Sequence, residues 1–164
     1  MDAKSMICHD LKRSNGTSLI EILVAVFILA IGILGIASAH INGIKTSQET
    51  ALRFQANVLA TDMVERMRAN INTANAANVY NMADSSAYAV GAQDCEANSC
   101  SLNGLALWDK AQWKTAIEAS LPSGIGSVAS VVAGGTKTYT VIVSYLSASG
   151  NPADREQVIV NVVL

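Results

Sequence analysis

Hydrophobic and polar positions change their period twice along the chain, and each change marks a different element. From Ile22 to Ala37 every residue is apolar or glycine, and from Ile22 through Ile44 there is no formal charge apart from a possible one on His40. A soluble helix keeps one polar face, whereas this run is apolar all round. At 1.5 Å per residue, about 20 residues cross the roughly 30 Å hydrocarbon layer of a bilayer. The run is therefore predicted to span a membrane. From Lys45 to Asn70 the pattern turns amphipathic, with Leu52, Ala56, Leu59, Met63 and Met67 recurring at spacings of three and four on one helical face. No proline interrupts Thr17 to Asn70, so a single continuous helix is predicted, its first half in lipid and its second half facing a core. Gly32, Gly35 and Gly43 are its weak points, each costing about 1 kcal/mol relative to alanine in water. Gly35, Ala39 and Gly43 also form a small-residue stripe of the kind that lets membrane helices approach closely, although glycine is common in such helices in any case.

Residues 70–90, rich in asparagine, alanine and serine, hold no sustained period and are expected to form a loop. Trp113, Ala116, Ile117 and Leu121 fit a short helix ended by Pro122. Residues 128–133, 138–146 and 156–164 are rich in valine, isoleucine, threonine and tyrosine and are separated by Gly134-Gly135 and by Ser149-Gly150-Asn151-Pro152. These read as three strands. Tyr139, Val141, Val143 and Tyr145 alternate with Thr140, Ile142, Ser144 and Leu146, so the sheet has two unlike faces. The expected fold is α+β, a long N-terminal helix packed on a small antiparallel sheet, with both tryptophans in the core beneath the helix.

Charge adds an orientation. Lys4, Lys12 and Arg13 precede the apolar run and the first basic residue after it is Lys45, which favours a cytoplasmic N-terminus with the later domain outside. With 11 basic and 13 acidic residues the chain has no footprint of a nucleic-acid binder. Glu49 with Arg53, Asp62 with Arg66 and Glu65 with Arg68 are spaced for local pairing on a solvated helix face.

Cys8 falls on the cytoplasmic side, whereas Cys95 and Cys100 would face an oxidising exterior and are expected to form a small disulfide clamp. A zinc site would need more ligands than these two cysteines and the distant His40 supply. With His40 as the only histidine after the leader, no Ser-His-Asp or Cys-His constellation can be built in the outer domain. Gly134-Gly135 lacks the lysine and helix of a phosphate loop, and Asp94 and Glu96 are expected to be solvated. No catalytic residue, metal or cofactor is expected.

Glu21 is the anomaly in the apolar run. An ionised group at the centre of a bilayer costs on the order of 2.5–3.5 kcal/mol, which marks such an acid as functional unless it snorkels to the headgroups. Its context, Gly16-Thr17-Ser18-Leu19-Ile20-Glu21, resembles the cleavage region of type IV prepilins, in which a basic leader ends in glycine and a glutamate lies fifth in the mature chain. The family usually has an N-methylated phenylalanine at the first mature position, where this chain has Thr17. The run LIEILVAVFILAIGILGIA is similar to the family as well, and LATDMVERMRAN at residues 59–70 resembles a segment of the minor pilins of the PilV type. Trp108-Asp109, Gln112-Trp113 and Leu121-Pro122 with Gly124 extend that resemblance.

The resemblance implies a pilin fold divided into a leader at 1–16, a membrane and filament-core half-helix at 17–43 and a periplasmic domain at 44–164. It implies a cut by prepilin peptidase between Gly16 and Thr17 and methylation of the Thr17 amine. The chain would sit in the bacterial inner membrane and then enter the pilus, with other major and minor pilins and the inner-membrane pilus assembly machinery as partners. Glu21 would pair with the Thr17 amine, its own or a neighbour's, and help set axial register, because a buried charge is tolerated only when paired.

Three other readings stay open. Ala37-Ser38-Ala39 is an A-x-A pattern, but the stretch from Leu19 to Ile36 exceeds the 7–15 residues of a signal-peptide core. A minor pseudopilin of type II secretion would share the leader and the helix. A membrane-anchored or secreted binding module would need no cut at Gly16.

Overall fold

In the first helix alanine, isoleucine and leucine predominate, and proline is absent. In the computed structural model, which describes residues 18–76, 78–85, 94–151 and 153–164, helix α1 runs unbroken from Leu19 to Ala69. The chain divides into two units, one ending at Gly43 and one running from Ile44 to Leu164.

The first unit contains the start of α1. Its apolar residues are uncovered all round, Leu19 being 87 % exposed and Leu34 71 %. Gly32, Gly35 and Gly43 have nothing beside them. The stretch from Leu19 to Gly43 is about 37 Å long at 1.5 Å per residue, enough to cross the hydrocarbon layer.

The second unit contains the rest of α1, then α2 (Ile71–Ala76), α3 (Leu102–Ser120), β1 (Ile125–Ala133), β2 (Thr136–Leu146) and β3 (Arg155–Val163). The strands form one antiparallel sheet in the order β1-β2-β3. Ala56, Leu59, Ala60, Met63, Val64 and Met67 of α1 are buried in one core with Trp113 and Ile117 of α3 and with Val128, Tyr139, Val141, Val143 and Tyr145 of the sheet. The helical face and the strand alternation expected from the sequence are the faces that pack. The β1–β2 connection is a two-residue turn at Gly134 and Gly135, whose φ values of 59° and 81° match the right-handed twist of the strands it joins.

Several boundaries differ from the expectation. A short helix, α2, occupies the start of the expected loop. Its Ala74 carbonyl accepts hydrogen bonds from Lys137 Nζ and Tyr139 Oη, each at 2.6 Å. A cation at the end of a helix is favourable, and both donors come from β2, far along the chain. Helix α3 starts at Leu102, where the Ser101 hydroxyl caps it by accepting from the Gly104 amide at 3.1 Å. Strand β1 starts at Ile125, earlier than the valine-rich stretch, because Ser85 and Gly126 exchange hydrogen bonds beside it. Cys95 and Cys100 are joined by a disulfide just ahead of that cap.

The two tryptophans separate. Trp108 is half-buried, whereas Trp113 is wholly enclosed and donates its indole N–H to the Leu59 carbonyl of α1 at 2.8 Å. The other side of its ring lies on Gly126, where an added Cβ would come within 2.4 and 2.5 Å of ring carbons and 2.6 Å of Ile117 Cδ1. Glycine is required there for space. Gly126→Ala is expected to destabilise the protein by about 1–3 kcal/mol, the usual cost of overpacking a core whose rings cannot withdraw. Urea unfolding followed by tryptophan fluorescence would measure it, and an unchanged midpoint would show that Trp113 is free to shift.

Candidate functional site

Two places in the fold combine charge with constraint. The first is the N-terminal turn of α1. The Ser18 carbonyl accepts from the Glu21 amide at 2.9 Å and from the Ile22 amide at 3.3 Å, which closes the first turn. Glu21 thus stands in the turn where the helix dipole favours an anion. It is followed by an apolar run that its own chain leaves bare, the stretch long and apolar enough to cross a membrane. Gly16 and Thr17, the expected cleavage and methylation positions, lie outside the described residues.

The second place is a polar network inside the second unit. Asp62 and Arg66 on α1, and Asn70 just past its last residue, fall four residues apart and so share a face. Arg66 donates from Nε to Asp62 Oδ2 at 2.8 Å and from Nη1 to Asp109 Oδ1 of α3 at 3.3 Å. The other oxygen of Asp109 accepts from the Tyr80 hydroxyl at 2.7 Å. That hydroxyl accepts from Asn70 Nδ2 at 3.2 Å, and the same amide donates to the Leu102 carbonyl at 2.8 Å, at the start of α3. Five side chains from α1, α3 and the segment between them are thereby tied together, and Tyr80, Asn70 and Asp109 are buried. Burial alone lowers the affinity of Arg66 for its proton, but Asp62 and Asp109 outweigh it and the net direction is upward. Burial, reinforced by the hydrogen bond to Asp109, pushes the Tyr80 hydroxyl well above its ordinary range.

The charges expected on a solvated face therefore divide. Glu65 and Arg68 pair at 2.6 Å and stay exposed, while Arg66 turns inward to α3. Sequence reasoning missed Asp109 and Tyr80 as members of this network. A signal was present for Asp109, which lies four residues before the buried Trp113 and so shares its inward face. Among the described residues no three His, Cys, Asp or Glu side chains converge as ligands of a metal would. What the network can do is mechanical, fixing α3 and the Tyr80 segment on α1.

Two outcomes follow. Asp109→Ala is expected to cost about 3 kcal/mol of unfolding free energy, because it strips buried Tyr80 of its acceptor and Arg66 of its less exposed partner. Asp62→Ala removes a partly exposed i,i+4 pair and is expected to cost less than about 1 kcal/mol. Urea titration of both variants checks this, and equal losses would count against the network. The folded state holds the Tyr80 proton more tightly than the unfolded chain does, so this contribution is intact below the ordinary tyrosine pKa of about 10. It is lost as pH rises further. In Tyr80→Phe the alkaline fall in melting temperature should be shallower than in the parent; identical slopes would exclude the linkage.

A family model described as type IV pilin Tt1218 matches residues 40–111, and a model of the prokaryotic N-terminal methylation motif matches residues 11–37. No curated protein and no solved structure matches the chain. The methylation motif spans Gly16, Thr17 and Glu21 together with most of the bare apolar run, and the pilin match takes in the amphipathic part of α1, the disulfide and all five members of the network. The sheet lies beyond it, and its three antiparallel strands against a long N-terminal helix complete an α+β pilin architecture. These matches, and the fold that carries them, support a type IV pilin.

Proposed function

We propose that this pilin is a minor, structural subunit of the type IV pilus. It enters the inner membrane as a prepilin with its N-terminus in the cytoplasm and its domain from residue 44 in the periplasm. Prepilin peptidase cuts it after Gly16 and methylates the Thr17 amine, and the subunit then joins other pilins through the inner-membrane assembly machinery. The LATDMVERMRAN segment favours the PilV type of minor pilin. In this reading the protein is a substrate and a building element, and catalyses nothing itself.

One observation carries the reading: a helix bare and apolar all round, with an acid in its first turn, lies under a match to the N-terminal methylation motif. While the helix is in the membrane, lipid covers its side chains. Once the subunit leaves the membrane, other apolar helices must take the place of lipid. Cutting after Gly16 creates a positive amine next to the positive end of the helix dipole, an unfavourable placement in an apolar bundle. Glu21, four residues further on, supplies the opposite charge. The pair is tolerable where either charge alone is not, and when the amine belongs to a neighbour it fixes how far one helix slides along the next.

Intact mass and N-terminal sequencing of the protein from cells that contain prepilin peptidase test the processing. A chain starting at Thr17 with one added methyl group is expected. A start at His40 would mean cleavage by signal peptidase, and an uncut chain would mean a membrane-anchored module. Glu21→Ala should insert and be cut normally but enter filaments about tenfold less or worse, the scale set by leaving a buried charge unpaired. Quantifying the subunit in sheared filaments against the membrane fraction checks this, and equal incorporation would remove the role assigned to Glu21.

A further inference from the structure

Within the second unit, α1 and the sheet leave a polar groove between them. Its walls are Glu49, Thr50 and Arg53 of α1, Tyr145 of β2, Ser147 just past that strand and Glu156 of β3, and it holds about 170 Å³. Glu49 and Arg53 are spaced to pair, yet among the described residues neither makes an ion pair, and Glu156 makes none. Tyr145 is only 2 % exposed, and its hydroxyl has no hydrogen-bond partner among the described residues. Burial raises the Tyr145 pKa; Glu156 and Glu49 add to that and Arg53 opposes it, so all three charges act on the one phenol.

A guanidinium and a phenol that can donate, and two carboxylates that can accept, thus line one groove without neutralising each other. They match a ligand that carries both signs a few bonds apart: an anion with several acceptor oxygens for Arg53 and Tyr145, and a cation with N–H donors for Glu49 and Glu156. A phosphoethanolamine group has both. Position along the chain narrows its source. The uncharged run ends at Ile44, and Glu49 follows it by about 8 Å on the unbroken α1. The headgroup layer is about 5–7 Å deep on each side of the hydrocarbon. Helical side chains lean towards the N-terminus, which turns Glu49 and Arg53 back towards the apolar run. The groove is smaller than the roughly 300–1,000 Å³ of a site that encloses a whole ligand, so it suits a headgroup whose acyl chains stay outside.

We propose that this groove binds the phosphoethanolamine headgroup of a membrane lipid, phosphatidylethanolamine. Arg53 and the Tyr145 hydroxyl donate to the phosphate, and Glu49 and Glu156 accept from the ammonium. An anionic lipid such as phosphatidylglycerol meets Arg53 equally well but brings no cation for the two carboxylates, so the groove selects against it. A lipid held here ties the second unit to the bilayer surface, and it has to be given up when the subunit leaves the membrane. The inference rests on the reading that the apolar run spans a bilayer.

The test uses the full chain in detergent micelles containing equal amounts of phosphatidylethanolamine and phosphatidylglycerol with the same acyl chains, read by native mass spectrometry. The chain should retain one phosphatidylethanolamine about tenfold more often than phosphatidylglycerol, the scale of one hydrogen bond to a charged group. Glu49→Gln together with Glu156→Gln should bring that ratio close to one, whereas Arg53→Gln and Tyr145→Phe, which touch the shared phosphate, should lower retention of both lipids. Every variant keeps the apolar run, so lipid held by the run alone is the same in all of them. Glu65→Gln, on α1 but away from the groove, should keep the parent ratio. Free phosphoethanolamine at millimolar concentration should not displace the lipid; displacement would overturn the lipid as the source of the ligand. No preference in the parent, or a preference unchanged by the paired Glu→Gln substitutions, would overturn the proposal. Such a failure in a chain that starts at Thr17 would leave the pilin reading standing.

Discussion

Helix α1 carries more apolar surface than one chain can cover. Its first unit offers side chains in every direction to a medium that the protein does not supply. Its second unit offers a single face, which the protein fills with Trp113, Ile117 and the inner side of the sheet. A bare apolar helix in water carries a cost of about 25 cal/mol for every Å² left wet, so the first unit is never alone in the cell. Either lipid or other helices surround it. A subunit that must exchange one for the other is held to two requirements at once: low polarity throughout, and some device that still distinguishes one axial position from another. In the function proposed above, a lone acid at the start of the run satisfies the second at little expense to the first.

The second unit meets a different constraint. Only one side of a single long helix is available to it, so α3 and the sheet must be seated on that side without a second long helix to brace them. Trp113 spans the gap, with its indole N–H on the Leu59 carbonyl and its ring against Gly126. The network of Asp62, Arg66, Asp109, Tyr80 and Asn70 locks the neighbouring turns. Apolar packing fixes how close the layers come. The charged hydrogen bonds, which weaken steeply with angle, fix their rotation.

Much of this was legible in the sequence because burial there follows a period. The face of Leu52, Ala56, Leu59, Met63 and Met67 and the alternation from Tyr139 to Tyr145 each repeat often enough to outweigh local exceptions. The apolar run was plainer still, because nothing polar breaks it. What was not legible depends on residues far apart. Helix α2, with the sequence INTANA, has no period of its own and persists because Lys137 and Tyr139 reach its Ala74 carbonyl from β2. The inward turn of Arg66 could not be told from the outward course of Arg68 by spacing, since both have a carboxylate within one turn. The difference lies in Asp109, which is 43 positions away from Arg66.

The same contrast between local and distant information explains where chemistry is concentrated in this chain. A catalytic site needs several polar side chains to converge on one exposed point, whereas here the buried polar groups converge on each other. Tyr80 donates a hydrogen bond to Asp109 and accepts one from Asn70, and both oxygens of Asp109 are occupied. A group whose donors and acceptors are satisfied internally gains rigidity and has nothing left to offer a substrate. Apart from Asn70 Oδ1 and Asn81 Oδ1, which are buried without a partner, what stays unsatisfied among the described residues lies at the margins: the acid and the bare helix at one end, the groove that follows them, and the outward amides of β3 at the other. Those are the features of a part made to be joined to others. A subunit of a filament is under strong pressure to leave matching surfaces open until its neighbours arrive.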